Sequence, residues 1–345
     1  MDRTARLHPV LPSVLVGILA GLASALIYAG PVQGSAFSLL LSFFTMLPLF
    51  VAGIGWGLAA SASATVTSCA GLMMTAHGPW IAADSVTLGG FFFATMAAPA
   101  ALMSHLTLLA RPGDPLPEAG GPPNPDHWEW FPLGWIALWV AALSVALFIG
   151  LDWFVTGPDG GIKAYFVREL AEFPDGSEAR RLLMTYFPGA SWAEVSRLLS
   201  SVLPSLIGVS WQFMVVINGI LAEQILRASN RAIRPRFEFA RMVLPRFLTA
   251  AIAIALVFAL IDSSVAFIAG TVAALLFVPY FFLGLTVVHA IPARGAGRVA
   301  LLALFYCLLM FVGWLSLVVG LLGLVEQWVD LRARFMGTTA AARED

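Results

Sequence analysis

Between Val209 and Pro235 the chain reads VSWQFMVVINGILAEQILRASNRAIRP. Gln212, Asn218, Glu223 and Gln224 interrupt a run otherwise built from Trp211, Phe213, Met214, Val215, Val216, Ile217, Ile220 and Leu221. A carboxamide or carboxylate in so apolar a segment costs free energy unless it is hydrogen bonded. Two chemistries would retain it there: lining a cavity for a polar solute, or bonding to a neighbouring helix. On a helix, Ser201, Ser205, Gly208, Gln212, Gly219 and Glu223 fall within about 60° of one another. Gln212 therefore belongs to a stripe in which Ser205, Gly208 and Gly219 let another helix approach. Asn218 projects about 100° away and needs a partner of its own. Glu223 stands at the end of the run with Arg227 at i+4. Gln212 and Asn218 are the candidate solute contacts, and interhelical packing is the simpler account of both.

Groups able to do bond-making chemistry are sparse. His105, His289, His77 and Asp84 fall toward the ends of apolar segments, and His127 and Glu129 form a single pair in a proline-rich stretch. None has the spacing of a zinc motif such as HExxH. No GxSxG, P-loop or GxGxxG stands in strand–turn–helix context. The glycines at 53, 55 and 57 lie in an apolar segment, so their spacing does not suggest a nucleotide site. Cys69 and Cys307 are far apart and lack a CxxC or Cys/His neighbourhood, so they suggest neither a metal site nor a redox pair. The expectation is a protein without catalytic residues, metal or cofactor, and without its own ATPase.

The elements that hold these residues follow from composition. Of 345 residues, 59% are hydrophobic and 11% charged, against about 25% charged in soluble domains. Mean hydropathy is +0.87. So little charge cannot cover a water-facing surface, and the chain reads as an integral membrane protein. A net charge of −1 gives no basic field for nucleic acid. The apolar run 10–29 exceeds the about 7–15 residues of a signal-peptide core, so it reads as an uncleaved first span.

Nine apolar segments follow one another: 10–29, 36–52, 54–74, 88–110, 133–155, 203–226, 247–261, 265–291 and 299–324. The expected fold class is all-α, a polytopic helical membrane protein with eight or nine transmembrane helices. Its parts are a first membrane bundle of four spans (1–110), a Pro/Gly-rich cytoplasmic connector (111–132) and a fifth span (133–155). An extracytoplasmic amphipathic insertion (156–202), a second bundle (203–324) and an amphipathic tail (325–345) complete it. The second and third segments meet at GIGWG (Gly53–Gly57), where glycines allow a turn or a break. In the insertion, Ile162, Tyr165, Phe166 and Leu170 recur at helical spacing, as do Leu182, Leu183 and Tyr186. SWAE, Ser191–Glu194, fits a capping box. These pieces would lie flat on the membrane or fold against the spans.

Arginine placement sets the orientation. Arg227, Arg231, Arg234, Arg236, Arg241 and Arg246 follow the sixth segment, with Glu238 the single acid among them. The positive-inside rule puts that loop in the cytoplasm, where it serves as an anchor or as a contact for lipid or a partner. Counting back six spans places Arg3, Arg6 and the N-terminus inside as well. Nine spans would put Arg332 and Arg334 outside; either the tail is external or one segment fails to span. On the first span, Ser13, Gly17, Gly21 and Ser24 share a small-residue face suited to an internal helix contact. Pro48, Pro99, Pro204 and Pro279 lie within or at the ends of segments, where they can kink helices and free carbonyls.

Several stretches together resemble the YybS-like family of uncharacterised bacterial membrane proteins. They are the glycine-rich first span, LPLFVAGIGWG (Leu47–Gly57), LPR (Leu244–Arg246), YFFLGLTVVHA (Tyr280–Ala290) and GLLGLVEQWVDLRARF (Gly320–Phe335). In that family the acid near the tail is commonly an aspartate after GL; here Val325-Glu326 stands instead. The family is considered distantly similar to the substrate-binding components of energy-coupling-factor vitamin transporters and to a cell-shape scaffold protein of the MreD type. The resemblance implies a bacterial inner-membrane protein of one of two kinds. One is a solute-binding transporter component working with an ATPase module. The other is a non-transporting scaffold acting with cytoplasmic or envelope-assembly partners.

Overall fold

The computed structural model describes residues 10–30, 36–75, 84–112, 128–154, 160–261, 264–290 and 296–332. Among these the chain is almost wholly helical, as a backbone without water to bond requires. The helices are α1 (Val10–Ala29), α2 (Ala36–Ser42), α3 (Leu47–Trp56), α4 (Leu58–Thr75), α5 (Ser85–Phe92) and α6 (Ala98–Leu108). Then come α7 (Leu133–Phe154), α8 (Gly161–Ala171), α9 (Glu178–Thr185) and α10 (Trp192–Ala228). The last four are α11 (Phe247–Ala259), α12 (Ser264–Ala290), α13 (Ala296–Phe311) and α14 (Leu315–Val329). Arg3, Arg6, His77, His127, Asp262, Ser263, Arg294, Arg334 and most of the 111–132 connector lie outside the described residues.

Six helices are long and apolar enough to cross a bilayer: Val10–Ala29, Phe37–Trp56, Ser85–Leu108, Leu133–Trp153, Trp192–Ala228 and Val265–Ala290. Leu58–Met74 and Phe247–Ala259 are shorter apolar helices. The segment expected as a ninth span, 299–324, is not one helix. It breaks at Val312–Trp314, where the path bends by 119° between its halves α13 and α14. Gly313, a poor helix former, stands in that break. Length and composition thus support six crossings, or up to seven if the bent pair counts as one, below the eight or nine expected from the sequence. The sixth segment also begins earlier than expected. α10 runs 37 residues from Trp192, about 55 Å, so residues 192–202 of the insertion already belong to it. The capping box starts it: Ser191 N–H and Oγ bond Glu194 Oε2 at 2.8 Å, and Glu194 N–H returns to Ser191 Oγ at 3.3 Å.

The chain divides into two compact units, Met1–Val140 with Gln212–Glu238, and Ala141–Trp211 with Phe239–Asp345. The division falls within α7 and α10. In the first unit α1 packs on α4 through its small-residue face. A Cβ at Gly17 would overlap Ser63 Oγ and the Ala60 carbonyl. One at Gly21 would lie 2.5 Å from the Ala64 carbonyl oxygen. The second span is broken at residues 43–46, between α2 and α3. Pro48 explains the break, since it has no N–H and its ring crowds the carbonyl one turn back. Gly57, at φ +77°, closes the turn from α3 into α4. Ahead of Pro99 the fourth span widens into a π-helical turn, Phe93–Ala97, in which Ala98 N–H bonds Phe93 O. The ends of the connector pair as a short antiparallel ribbon, β1 (Ala110–Pro112) with β2 (Trp128–Trp130), where an irregular stretch was expected. Arg111 and Glu129 form an ion pair across it at 2.6 Å.

In the second unit α11 and α12 form a hairpin, with Thr249 Oγ1 and Tyr280 Oη 2.7 Å apart. α12 and α14 cross backbone to backbone. A Cβ at Gly284 would overlap the Val319 carbonyl, and one at Gly323 the Tyr280 carbonyl. α8 and α9 confirm that the insertion is partly helical. Asp152, at the end of α7, accepts from Ile162 N–H at 2.8 Å and fixes the start of α8. Arg180 stacks 4.7 Å over Trp192, whose indole N–H bonds Leu170 O at 2.9 Å.

Candidate functional site

The residues that raised the question of a site lie on α10. Asn218 is 0% exposed and Gln212 1%. Asn218 Nδ2 donates to Phe43 O at 2.8 Å and to Met214 O at 2.7 Å. The first bond explains the asparagine. Around the break in the second span, Leu47 N–H bonds Phe44 O, so Phe43 O loses its helical donor. An amide N–H reaching in from α10 replaces it. Ser24 does the same for the next freed carbonyl, its hydroxyl donating to Thr45 O at 2.7 Å. One proline thus creates two orphan acceptors, and two polar residues on other helices satisfy them. Asn218 Oδ1, also buried, accepts no hydrogen bond among the described residues.

The expected stripe is shared between the two units. Ser205 Oγ donates to Thr271 Oγ1 at 3.2 Å in the second unit. There, Ser144 Oγ donates to Gly208 O at 3.4 Å, and a Cβ on Gly208 would lie 2.6 Å from Leu275 Cδ2. Gln212 is buried in the first unit, whereas a Cβ at Gly219 would meet nothing within 4 Å. Ser13, Gly17, Gly21 and Ser24 are all buried.

The arginines at the end of α10 and in the loop that follows separate into two sets. Arg227 Nε donates to Glu223 Oε1 at 2.9 Å, and the Arg231 guanidinium lies 5.1 Å over the Trp56 ring. Arg234 donates to Thr107 O at 3.2 Å and Phe131 O at 3.0 Å, while stacking on Phe237 at 4.9 Å. It thereby ties the loop to the end of α6 and the base of the β ribbon. Burial pushes its guanidinium down to about 10, with the charge of Glu223 opposing, so it stays cationic at neutral pH. Arg231 and Arg234 fold the loop onto the rest of the first unit, whereas the Arg227 pair lies within α10. Arg236, Arg241 and Arg246 are exposed.

One constellation was not anticipated from the sequence. Glu326, in the last turn of α14, is 3% exposed and Arg332 is 8% exposed. Arg332 Nε donates to Glu326 Oε1 at 2.5 Å, Nη1 to Ala240 O at 2.7 Å and Nη2 to Met242 O at 2.9 Å. Arg332 N–H adds a bond to Glu326 Oε2 at 3.2 Å. Asp330, at φ +50°, turns the chain back so that this bond closes. An acid ending an apolar helix, followed by LRAR, was the available signal. Every donor on this arginine's inner face has an acceptor, so the arrangement is a clasp. No group of three or more His, Cys, Asp or Glu among the described residues could hold a metal.

Residues 190–326, less than half of the chain, match the model of a family described as predicted membrane protein (DUF2232). No curated protein and no solved structure matches the chain. The molecule is a multi-span membrane protein in contact with a lipid bilayer, and the matching family is itself uncharacterised.

Proposed function

We propose that the chain is a non-catalytic assembly protein of the bacterial inner membrane, with its N-terminus in the cytoplasm. The observation that carries this reading is Asn218. The side chain best placed to greet a solute spends its amide on Phe43 O and Met214 O, inside the packing of the first unit. What remains available to partners lies outside the spans. Arg236 and Arg246 offer charge to anionic lipid or to a cytoplasmic protein, at about 1 kcal/mol each near a leaflet. The 160–192 region offers a separate folded surface to an envelope partner.

A solute-binding transporter component is the second reading. Buried Asn218 Oδ1, an acceptor without a donor beside a broken span, favours it, as does the resemblance to energy-coupling-factor components. Affinity purification of the tagged protein in mild detergent, read by mass spectrometry, separates the two. Envelope-synthesis proteins recovered with the chain support the assembly reading. A stoichiometric ATPase pair would replace it with transport.

A further inference from the structure

We infer that α13 and α14 form a re-entrant hairpin that enters the cytoplasmic leaflet and leaves it on the same side, so that the tail after Val329 shares the cytoplasmic face with the 229–246 loop. It rests on the cytoplasmic placement of the 229–246 loop proposed above and not on the assembly role. It begins from the clasp, in which Arg332 bonds Ala240 O and Met242 O at 2.7 and 2.9 Å. Contacts of that length cannot be made across a hydrocarbon layer about 30 Å thick. Between Met242 and Arg332 the chain passes through α11, α12, α13 and α14 and comes back to its starting place, which takes an even number of crossings.

α12 is long enough to cross, and α11, a shorter apolar helix, runs back along it with Thr249 against Tyr280, so the hairpin takes the chain over and back and leaves none or two crossings for the bent pair. α13 has 16 residues and α14 has 15. The chain bends by 119° between them instead of continuing straight. The placement of α13 agrees. Arg298 in its first turn donates to His289 O at 3.1 Å, and Tyr306 Oη lies 3.4 Å from His289 Nε2. A helix that holds the end of α12 with residues eight positions apart passes beside that end instead of leaving it. The surface this leaves on α13, with Val299, Leu304, Met310 and Phe311 all exposed, fits the acyl chains of one leaflet. The same arrangement answers the arginine count, because Arg332 then falls inside with the other basic residues.

Single cysteines test this in a Cys69→Ser, Cys307→Ser background, at Ala340→Cys in the tail, Ala232→Cys in the basic loop and Glu172→Cys in the insertion. A membrane-impermeant maleimide is applied to intact and to permeabilised cells, and labelling is normalised to denatured protein. The expected result is that the Ala340→Cys and Ala232→Cys chains are protected in intact cells and labelled severalfold more after permeabilisation, unlike Glu172→Cys. Labelling of Ala340→Cys in intact cells at the level of Glu172→Cys overturns the inference. On the otherwise unaltered chain, green fluorescent protein fused after Asp345 is expected to fluoresce. A full-length, dark fusion also overturns it.

Discussion

At the scale of single residues, polar and small side chains here act mainly on backbone. Gly17 and Gly219 illustrate how context decides a glycine's worth. A Cβ at Gly17 collides with α4, whereas one at Gly219 meets nothing within 4 Å. Gly17→Ala is therefore expected to lower the thermal unfolding midpoint in detergent. Gly219→Ala should raise stability by up to about 1 kcal/mol through helix propensity. Glu326 and Arg332 are buried together, so removing one strands the other. Arg332→Met is expected to cost about 3–5 kcal/mol, and the double variant Glu326→Leu, Arg332→Met less than the sum of the two single changes. A double-mutant cycle by thermal unfolding checks this. Outside the spans, Asp84 caps α5, and the Thr87 hydroxyl and amide hold its carboxyl below the ordinary aspartate value. A depressed acid stabilises above its unfolded value and loses that contribution as pH falls through the folded one. Amide exchange at Val86 and Thr87, corrected for intrinsic rate, should show protection at neutral pH and lose it at acid pH.

At the scale of elements, periodicity and hydropathy located most helices, because a span must be apolar for about twenty residues whatever it packs against. α1 coincides with the run 10–29, and α7 ends one residue from the expected limit. The capping box was legible because its two residues are neighbours in sequence; Ser191→Ala should cost α10 about 1 kcal/mol, seen as faster exchange of the Glu194 amide. The break at 43–46 was legible only as a proline that could kink. Its consequence, Asn218 serving Phe43, links residues 175 positions apart. The bend at Gly313 was hidden because the sequence on both sides is equally apolar. The Glu326–Arg332 clasp was hidden for another reason: it depends on a residue with positive φ beyond the helix end, which hydropathy does not register.

At the scale of the whole molecule, the sequence posed a choice between polar residues that greet a solute and polar residues that hold helices together. Both units pack helices through glycines; carbonyl repair around Pro48 is added in the first and a buried ion pair in the second. This account makes Asn218 a stabilising residue, and residues kept for binding commonly do not stabilise. The most direct measurement is the thermal unfolding midpoint of Asn218→Leu against the unaltered chain in the same detergent. Leaving Phe43 O buried without its donor should cost about 1–3 kcal/mol, a fall of several degrees. An unchanged or higher midpoint would contradict the account and return Asn218 to the role of a solute contact.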